Sequence, residues 1–208
     1  YDADLLDEDF RKSFDYVANY ERTSGLWFPF AVPVSMMKSD FPLFKMTRKE
    51  RIPGIGWLAR DCLSNRAQTL IKISDEFPVF SVGKCARNVE EGSFPESVME
   101  LPRKDETSIQ EPMSNFMFYY AEENSGVSCP EYVTEKIYYA LSRGSIPIYI
   151  GWEGVNELLP SQDSWIDLRN YATPQQLANR LREIAESDEE WEKMHKWRYE
   201  DPKRWPKP

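Results

Sequence analysis

Two cations stand where cations are mildly unwelcome. Arg66, in "LSNRAQ", and Lys136, in "YVTEKI", each lie near the start of a stretch with helical periodicity. A positive charge in a first turn opposes the helix macrodipole by a few tenths to about 1 kcal/mol. A bound anion reverses that sign. A diphosphate held between two helix starts, by inward-facing backbone N–H groups and by fixed positive charge, is the chemistry this pair fits. Glu135, beside Lys136, is an acceptor suited to the hydroxyls of a ribose or sugar. Glu122, Glu123 and Asn124 follow the apolar run "FMFYYA", and Tyr132 stands just ahead of the second helix, so these residues are expected at the same place.

The elements that must position them alternate along the chain. "GIGWLA" reads as a short apolar strand, "SNRAQTLIKISDEF" as a helix with Ala67, Leu70, Ile71 and Ser74 at helical spacing, and "PVFSVG" as a second strand. An acidic, Pro-punctuated connection follows. "FMFYYA", "SIPIYIG" and "SWIDL" read as further strands, separated by the helix "YVTEKIYYALSRG", which Gly144 closes. "TPQQLANRLREIAES" is a helix with Thr173 as N-cap, Pro174 at its first position and Gln176 in a capping box. Alternating strands and helices imply an α/β fold, a parallel sheet with helices on both faces. Ligands of such sheets sit beyond the carboxyl ends of the strands. On the "YVTEKIYYALSRG" helix, Val133, Ile137, Ala140 and Leu141 form the sheet-facing stripe, which leaves Tyr132, Glu135, Lys136 and Tyr139 on the other side. Either Ser128 or Thr134 caps it. Upstream, an acidic helix is expected near Leu5 to Tyr20, followed by a stretch that Pro29, Pro33 and Pro42 break into short strands and loops.

Composition narrows the classes of function. The chain has 208 residues, 41% of them hydrophobic and 14% aromatic, enough for a real core. A net charge of -9 argues against nucleic-acid binding, which needs a basic surface, but leaves room for small anions held by a few local cations. No run approaches the roughly 18 apolar residues of a membrane span, and the first residues lack the pattern of a signal peptide. Cys62, Cys85 and Cys129 lack zinc-ligand spacing and permit at most one internal bridge, and no N-x-[ST] glycosylation acceptor is present. The acidic runs Asp2 to Asp4 and Asp7 to Asp9 imitate a metal-binding Asp-x-Asp but sit in a terminal charged tract, so no metal is expected there. His195, the single histidine, offers no catalytic triad, and Trp191, Trp197 and Trp205 are read as packing anchors.

The stretch "FYYAEENSGVSCPEYVTEKIYYALSRGSIPIYIGWEGVNELLPSQDSWIDLRNYATPQQLANRL" resembles the signature region of the α-1,3-fucosyltransferase family, glycosyltransferase family 10. Weaker echoes run back through "WLARDCLSNRAQTLIKISDEFPVFSVGKC" and "FDYVANYERTSGLWFPF". The resemblance implies a GT-B-like enzyme that transfers fucose from GDP-fucose, with inversion, to a GlcNAc-type glycan or glycoprotein acceptor in α-1,3 linkage. It implies no cofactor and no required metal. Carried over by position, Arg66 and Lys136 hold the diphosphate, Glu135 the ribose, Tyr132 and Asn124 complete the donor pocket, and Glu123 meets the fucose or braces the loop. For a eukaryotic member it implies the Golgi or ER lumen, with a membrane anchor outside this chain; bacterial members are cytoplasmic or peripheral.

The sequence departs from that family in three places. Glu122 stands where the family usually has Phe, and Thr23-Ser24-Gly25 where it often has Asp-Ser-Asp. The family's proposed base lies ahead of the segment matching "FDYVANY" and is expected upstream of Tyr1, so no catalytic base is carried over. The acceptor-binding lobe is expected as a truncated remnant over 1–53. The Rossmann-type donor-binding lobe then spans 54–190 and a C-terminal helix or tail 191–208. The competing expectation is a truncated or non-catalytic homologue that binds GDP-fucose, or acts as an interaction module, without transfer.

Overall fold

The computed structural model describes residues 9, 12–16, 18–28, 47–59, 62, 66–89 and 114–201. Two short strands, β1 (Ala18–Asn19) and β2 (Leu26–Trp27), pair with each other in parallel. The sheet proper begins with β3 (Ile52–Trp57), followed by helix α1 (Arg66–Ser74), β4 (Val79–Ser81) and β5 (Phe116–Glu122). Then come α2 (Glu135–Arg143), β6 (Ile146–Ile150), β7 (Ile166–Asp167), α3 (Pro174–Glu186) and α4 (Asp188–His195). The sheet has the order β4-β3-β5-β6-β7, and its pairings are parallel throughout. Pro53, which has no N–H for the ladder, falls within the register shift between Ile52 and Ile55.

Strand parity divides the core in two. Ile55, Phe118, Tyr120, Ile146 and Ile148 face Leu70 and Ile73 of α1, Leu177, Leu181 and Ile184 of α3, and Trp191 and Met194 of α4. Tyr119, Ala121 and Tyr149 face the other way, toward Val133, Ile137, Ala140 and Leu141, the stripe expected of α2. The expected helices therefore cover both faces of the sheet. The α4 segment and the 3-10 turn after it, Lys196–Tyr199, pack into these clusters through Trp191, Met194 and Trp197.

Several local expectations change. Among the described residues of the predicted Leu5 to Tyr20 helix, Asp9 is helical, but Ala18–Asn19 is a strand. Asn19 ends it by accepting the Glu21 N–H on its side-chain oxygen at 2.9 Å, a turn-forming bond that competes with helix. On α1 the inward residues are Leu70 and Ile73, with Ala67 against them; Ile71 is 55% exposed and Ser74 turns its hydroxyl back to the Ile71 carbonyl. Nine residues give too short a stripe to separate the two faces by periodicity. The predicted "SWIDL" strand shrinks to Ile166–Asp167 because Asp167 accepts the Arg169 N–H at 3.0 Å and starts a 3-10 turn. The α3 cap forms as expected at Thr173, whose hydroxyl accepts from Gln176 N–H, while the Gln176 side chain reaches back to Ala172 rather than to Thr173. Tyr1, the point upstream of which the family's base is expected, lies outside the described residues, as do Asp2 to Asp4, Asp7 and Trp205.

Candidate functional site

From β3 the chain crosses through α1 to β4 on one side, and from β5 through α2 to β6 on the other. β3 and β5 are neighbours, so the crossovers diverge between their carboxyl ends and leave a crevice at the point of divergence. Arg66 opens α1 on one wall and Glu135 opens α2 on the other. The loop after β5 joins the two walls: Arg66 Nη1 donates to Asn124 Oδ1 at 3.0 Å, and Glu123, one residue earlier, receives Lys136 at 3.3 Å.

Glu123 is the buried centre of the arrangement, with no exposed side-chain surface. Its Oε1 accepts the Thr134 N–H at 2.7 Å, and its Oε2 accepts the Thr134 hydroxyl at 2.6 Å and the Lys136 ammonium. Lys136 Nζ also donates to Thr134 Oγ1 at 2.8 Å and lies 3.8 Å from Glu135. Burial pushes the Glu123 carboxyl above its ordinary value, against the opposing pull of Lys136 and of the Thr134 donors. The carboxylate thus accepts the N-cap N–H, the bond a capping-box glutamate would make from within the helix. Thr134 is the residue at the cap position, but its hydroxyl is turned to Glu123 and makes no cap bond of its own. Of its two expected roles, meeting the fucose or bracing the loop, these bonds are of the bracing kind: they tie the residue after β5 to the start of α2. The expectation of inward-aimed amides is likewise trimmed at α2, where the Thr134 N–H is spent on Glu123.

The other predicted residues meet at the same edge. Glu135 keeps 40% of its side chain exposed and Lys136 20%, so both reach the crevice surface. Tyr132 is half-buried, its ring edge-on to Tyr20 at 5.4 Å between centres. Glu122, on the opposite parity from Glu123, accepts the Tyr120 phenol at 2.7 Å; burial raises its carboxyl, with Tyr120 and the nearby Arg66 pulling the other way. Sequence reasoning passed over Tyr119. It shares the parity of Ala121 and Glu123, is buried, and has its phenol raised by burial and by the Glu135 and Glu123 carboxylates, so it stays protonated and able to donate at neutral pH. Counting back by twos from Glu123 would have found it.

Among the described residues no cluster of three or more His, Cys, Asp or Glu could hold a metal ion. His195 lies buried at the far end of α2, its ring nitrogens near the carbonyls of Trp191 and Gly144. What the crevice offers is two cations on separate elements, each held by one of two adjacent loop residues, and an exposed carboxylate alongside, a set suited to an anionic group joined to hydroxyls.

The family model described as glycosyltransferase family 10 (fucosyltransferase), C-terminal part, matches residues 47–205. An alpha-(1,4)-fucosyltransferase of Arabidopsis thaliana is 33% identical over 149 residues, covering 68% of this chain and 36% of that protein. GDP-fucose protein O-fucosyltransferase 3 of Canis lupus familiaris is 27% identical over 193 residues, covering 89% of this chain and 39% of its own. The crystal structure of an alpha1,3-fucosyltransferase with GDP-fucose matches the fold with a TM-score of 0.63 at 16% identity, covering 91% of this chain and 62% of that one. The fold is therefore α/β of the GT-B type. The chain spans less than two-fifths of the length of these two relatives.

Proposed function

The chain belongs to glycosyltransferase family 10, and from that membership we propose that it forms the donor-binding part of an inverting fucosyltransferase that uses GDP-fucose. The carrying observation is the bridge across the crevice: Arg66 from α1 and Lys136 from α2 meet the adjacent pair Glu123 and Asn124. Departure of GDP from the anomeric carbon builds negative charge on the diphosphate as the sugar becomes cationic. Preset cations stabilise that leaving group as the charge develops, so the proposal needs no metal. Glu135 accepts from ribose hydroxyls, Asn124 and Tyr132 line the pocket, Tyr119 donates from its floor, and Glu123 keeps Lys136 and the start of α2 in place.

The acceptor in this reading is a GlcNAc-type glycan or glycoprotein, joined in α-1,3 linkage, on the strength of the sequence resemblance. Product analysis separates it from α-1,4 transfer and from protein O-fucosylation, the activities for which the two relatives are named. The Golgi or ER lumen is the proposed setting, supported by the disulfide between Cys62 and Cys85, since such bonds persist in oxidising compartments.

Titration of the purified chain with GDP tests the site. Arg66→Ala and Lys136→Ala should each weaken binding by about 2 kcal/mol, roughly thirtyfold, as loss of a charge-assisted contact does. Lys72→Ala, on the exposed side of α1, should leave it unchanged. Parent-like affinity in both cleft variants would overturn the reading.

A further inference from the structure

The loop from 124 to 132 carries Asn124 and Tyr132, yet its own hydrogen bonds are local turns: Gly126 N–H to Glu123 O, Ser128 N–H to Ser125 O, Tyr132 N–H to Cys129 O. Arg66 ties its beginning through Asn124. Its end is tied by a residue far away in sequence. Arg22, in the turn between β1 and β2, donates its backbone N–H to Glu131 Oε2 at 2.5 Å and its Nε to Glu131 Oε1 at 2.9 Å. The same guanidinium lies 2.7 Å from Glu157 Oε2 and 5.3 Å from the ring centre of Trp152, both in the segment after β6. One side chain therefore joins the loops that follow β5 and β6, at the carboxyl edge where the crevice opens. Tyr20, two residues before it, packs on Tyr132.

Glu131 adds a second sign. Its φ of +60° is unusual for a residue with a side chain and persists only where the surroundings over-determine it. The fork from Arg22 supplies that constraint. The partners are too exposed for the ion pairs to hold up the whole fold, with 37% of the Arg22 side chain and 59% of the Glu157 side chain open to solvent. Their effect is local.

We propose that Arg22 is a positioning residue of the donor site, a clasp that fixes the end of the 124–132 loop so that Asn124 and Tyr132 stand ready for the nucleotide-sugar. The inference rests on the donor-site reading above. Coupling of this kind is reciprocal: if the clasp favours the donor, the donor tightens the clasp.

Arg22→Ala should weaken GDP binding roughly tenfold, the scale of one lost charge-assisted contact, with the urea midpoint of the parent retained. Arg22→Lys, which keeps the charge but not the two-pronged geometry, should recover only part of the affinity. Glu131→Gln should act like Arg22→Ala, and the double variant should be no worse than either single one. Hydrogen exchange supplies the readout that a general packing role would not move: GDP should slow amide exchange over 18–28 in the parent and fail to do so in Arg22→Ala. Unchanged GDP affinity in both Arg22→Ala and Glu131→Gln would overturn the clasp. If the parent itself does not bind GDP, the donor-site reading fails, and the clasp is then judged by exchange over 124–132 without ligand, which must rise in Glu131→Gln for it to stand.

Discussion

A carboxylate without exposed surface must be compensated by donors, and Glu123 takes two from Thr134 and one from Lys136. Removing one partner of such a set leaves the others buried and unmatched, which costs about 3–5 kcal/mol for a fully buried pair. Lys136 keeps a fifth of its side chain in solvent, so the lower end applies. Glu123→Ala should therefore lose about 3 kcal/mol in urea unfolding and also bind GDP more weakly, because Lys136 and the start of α2 lose their anchor. A variant with parent-like stability would show that the network does not hold the helix start. Residue type and position made Arg66, Asn124, Glu135 and Lys136 legible in the sequence, since cations at helix starts and polar groups at strand ends are local patterns. The burial of Glu123 was not legible there. Adjacent to Asn124 in sequence, it points to the other side of the loop, and only the packed α2 decides that it is sealed.

At the scale of the element, α2 is matched at both ends. Its N-terminus meets the Glu123 carboxylate, and its last carbonyls meet two cations and a neutral ring: Arg198 donates to Leu141 O, Arg51 to Arg143 O at 2.8 Å, and His195 Nε2 lies 3.0 Å from Gly144 O. This is the charge placement the helix dipole favours. Burial lowers Arg51 to about 9 and Arg198 to about 10, values that leave both charged at neutral pH. His195 is different. Burial, aided by these two arginines, lowers it to about 4, against the pull of the Trp191 and Gly144 carbonyls. In the unfolded chain it titrates near 6.5. Its contribution is thus complete above about pH 6.5 and is lost as pH falls toward 4, since the unfolded state takes up a proton that the native ring resists. The loss is on the order of 3 kcal/mol across that window. Urea midpoints measured from pH 7 to pH 4 should fall more steeply in the parent than in His195→Gln, the difference curve removing the carboxylates common to both. Parallel slopes would mean that His195 takes up its proton equally in the native and unfolded states. Gly144 as the left-handed cap and Thr173 as the α3 cap were readable from sequence, because caps are made by neighbours. Arg51, Arg198 and His195 were not, because they reach the end of α2 from segments 92, 57 and 51 residues away.

For the molecule as a whole, alternation of strands and helices is enough to expect a parallel sheet, and two cation-bearing helix starts are enough to expect one crevice. Which cysteines pair is not legible in the same way, because composition limits the number of bridges and not their partners. The structure joins Cys62 to Cys85, across the seam between the segments leaving β3 and β4. That seam is already close: Val82 N–H bonds Trp57 O, Cys85 N–H bonds Ala59 O, and a Cβ on Gly83 would overlap Ala59 O. Cys62 lies four residues ahead of Arg66 in sequence, so the bridge also limits how far the start of α1 can stray from β4. A bridge closing a loop of 23 residues restricts the unfolded chain by about 3 kcal/mol in the loop-entropy account. Reduction, or Cys62→Ser, should lower stability by about that amount and should also weaken GDP binding several-fold, roughly 1 kcal/mol, as Arg66 loses a tether four residues away in sequence. Cys129→Ser, which leaves the bridge intact, serves as the control and should change neither quantity. If reduction lowers the unfolding midpoint while GDP affinity holds, the backbone bonds of the seam are sufficient to place Arg66, and the disulfide acts on the fold alone.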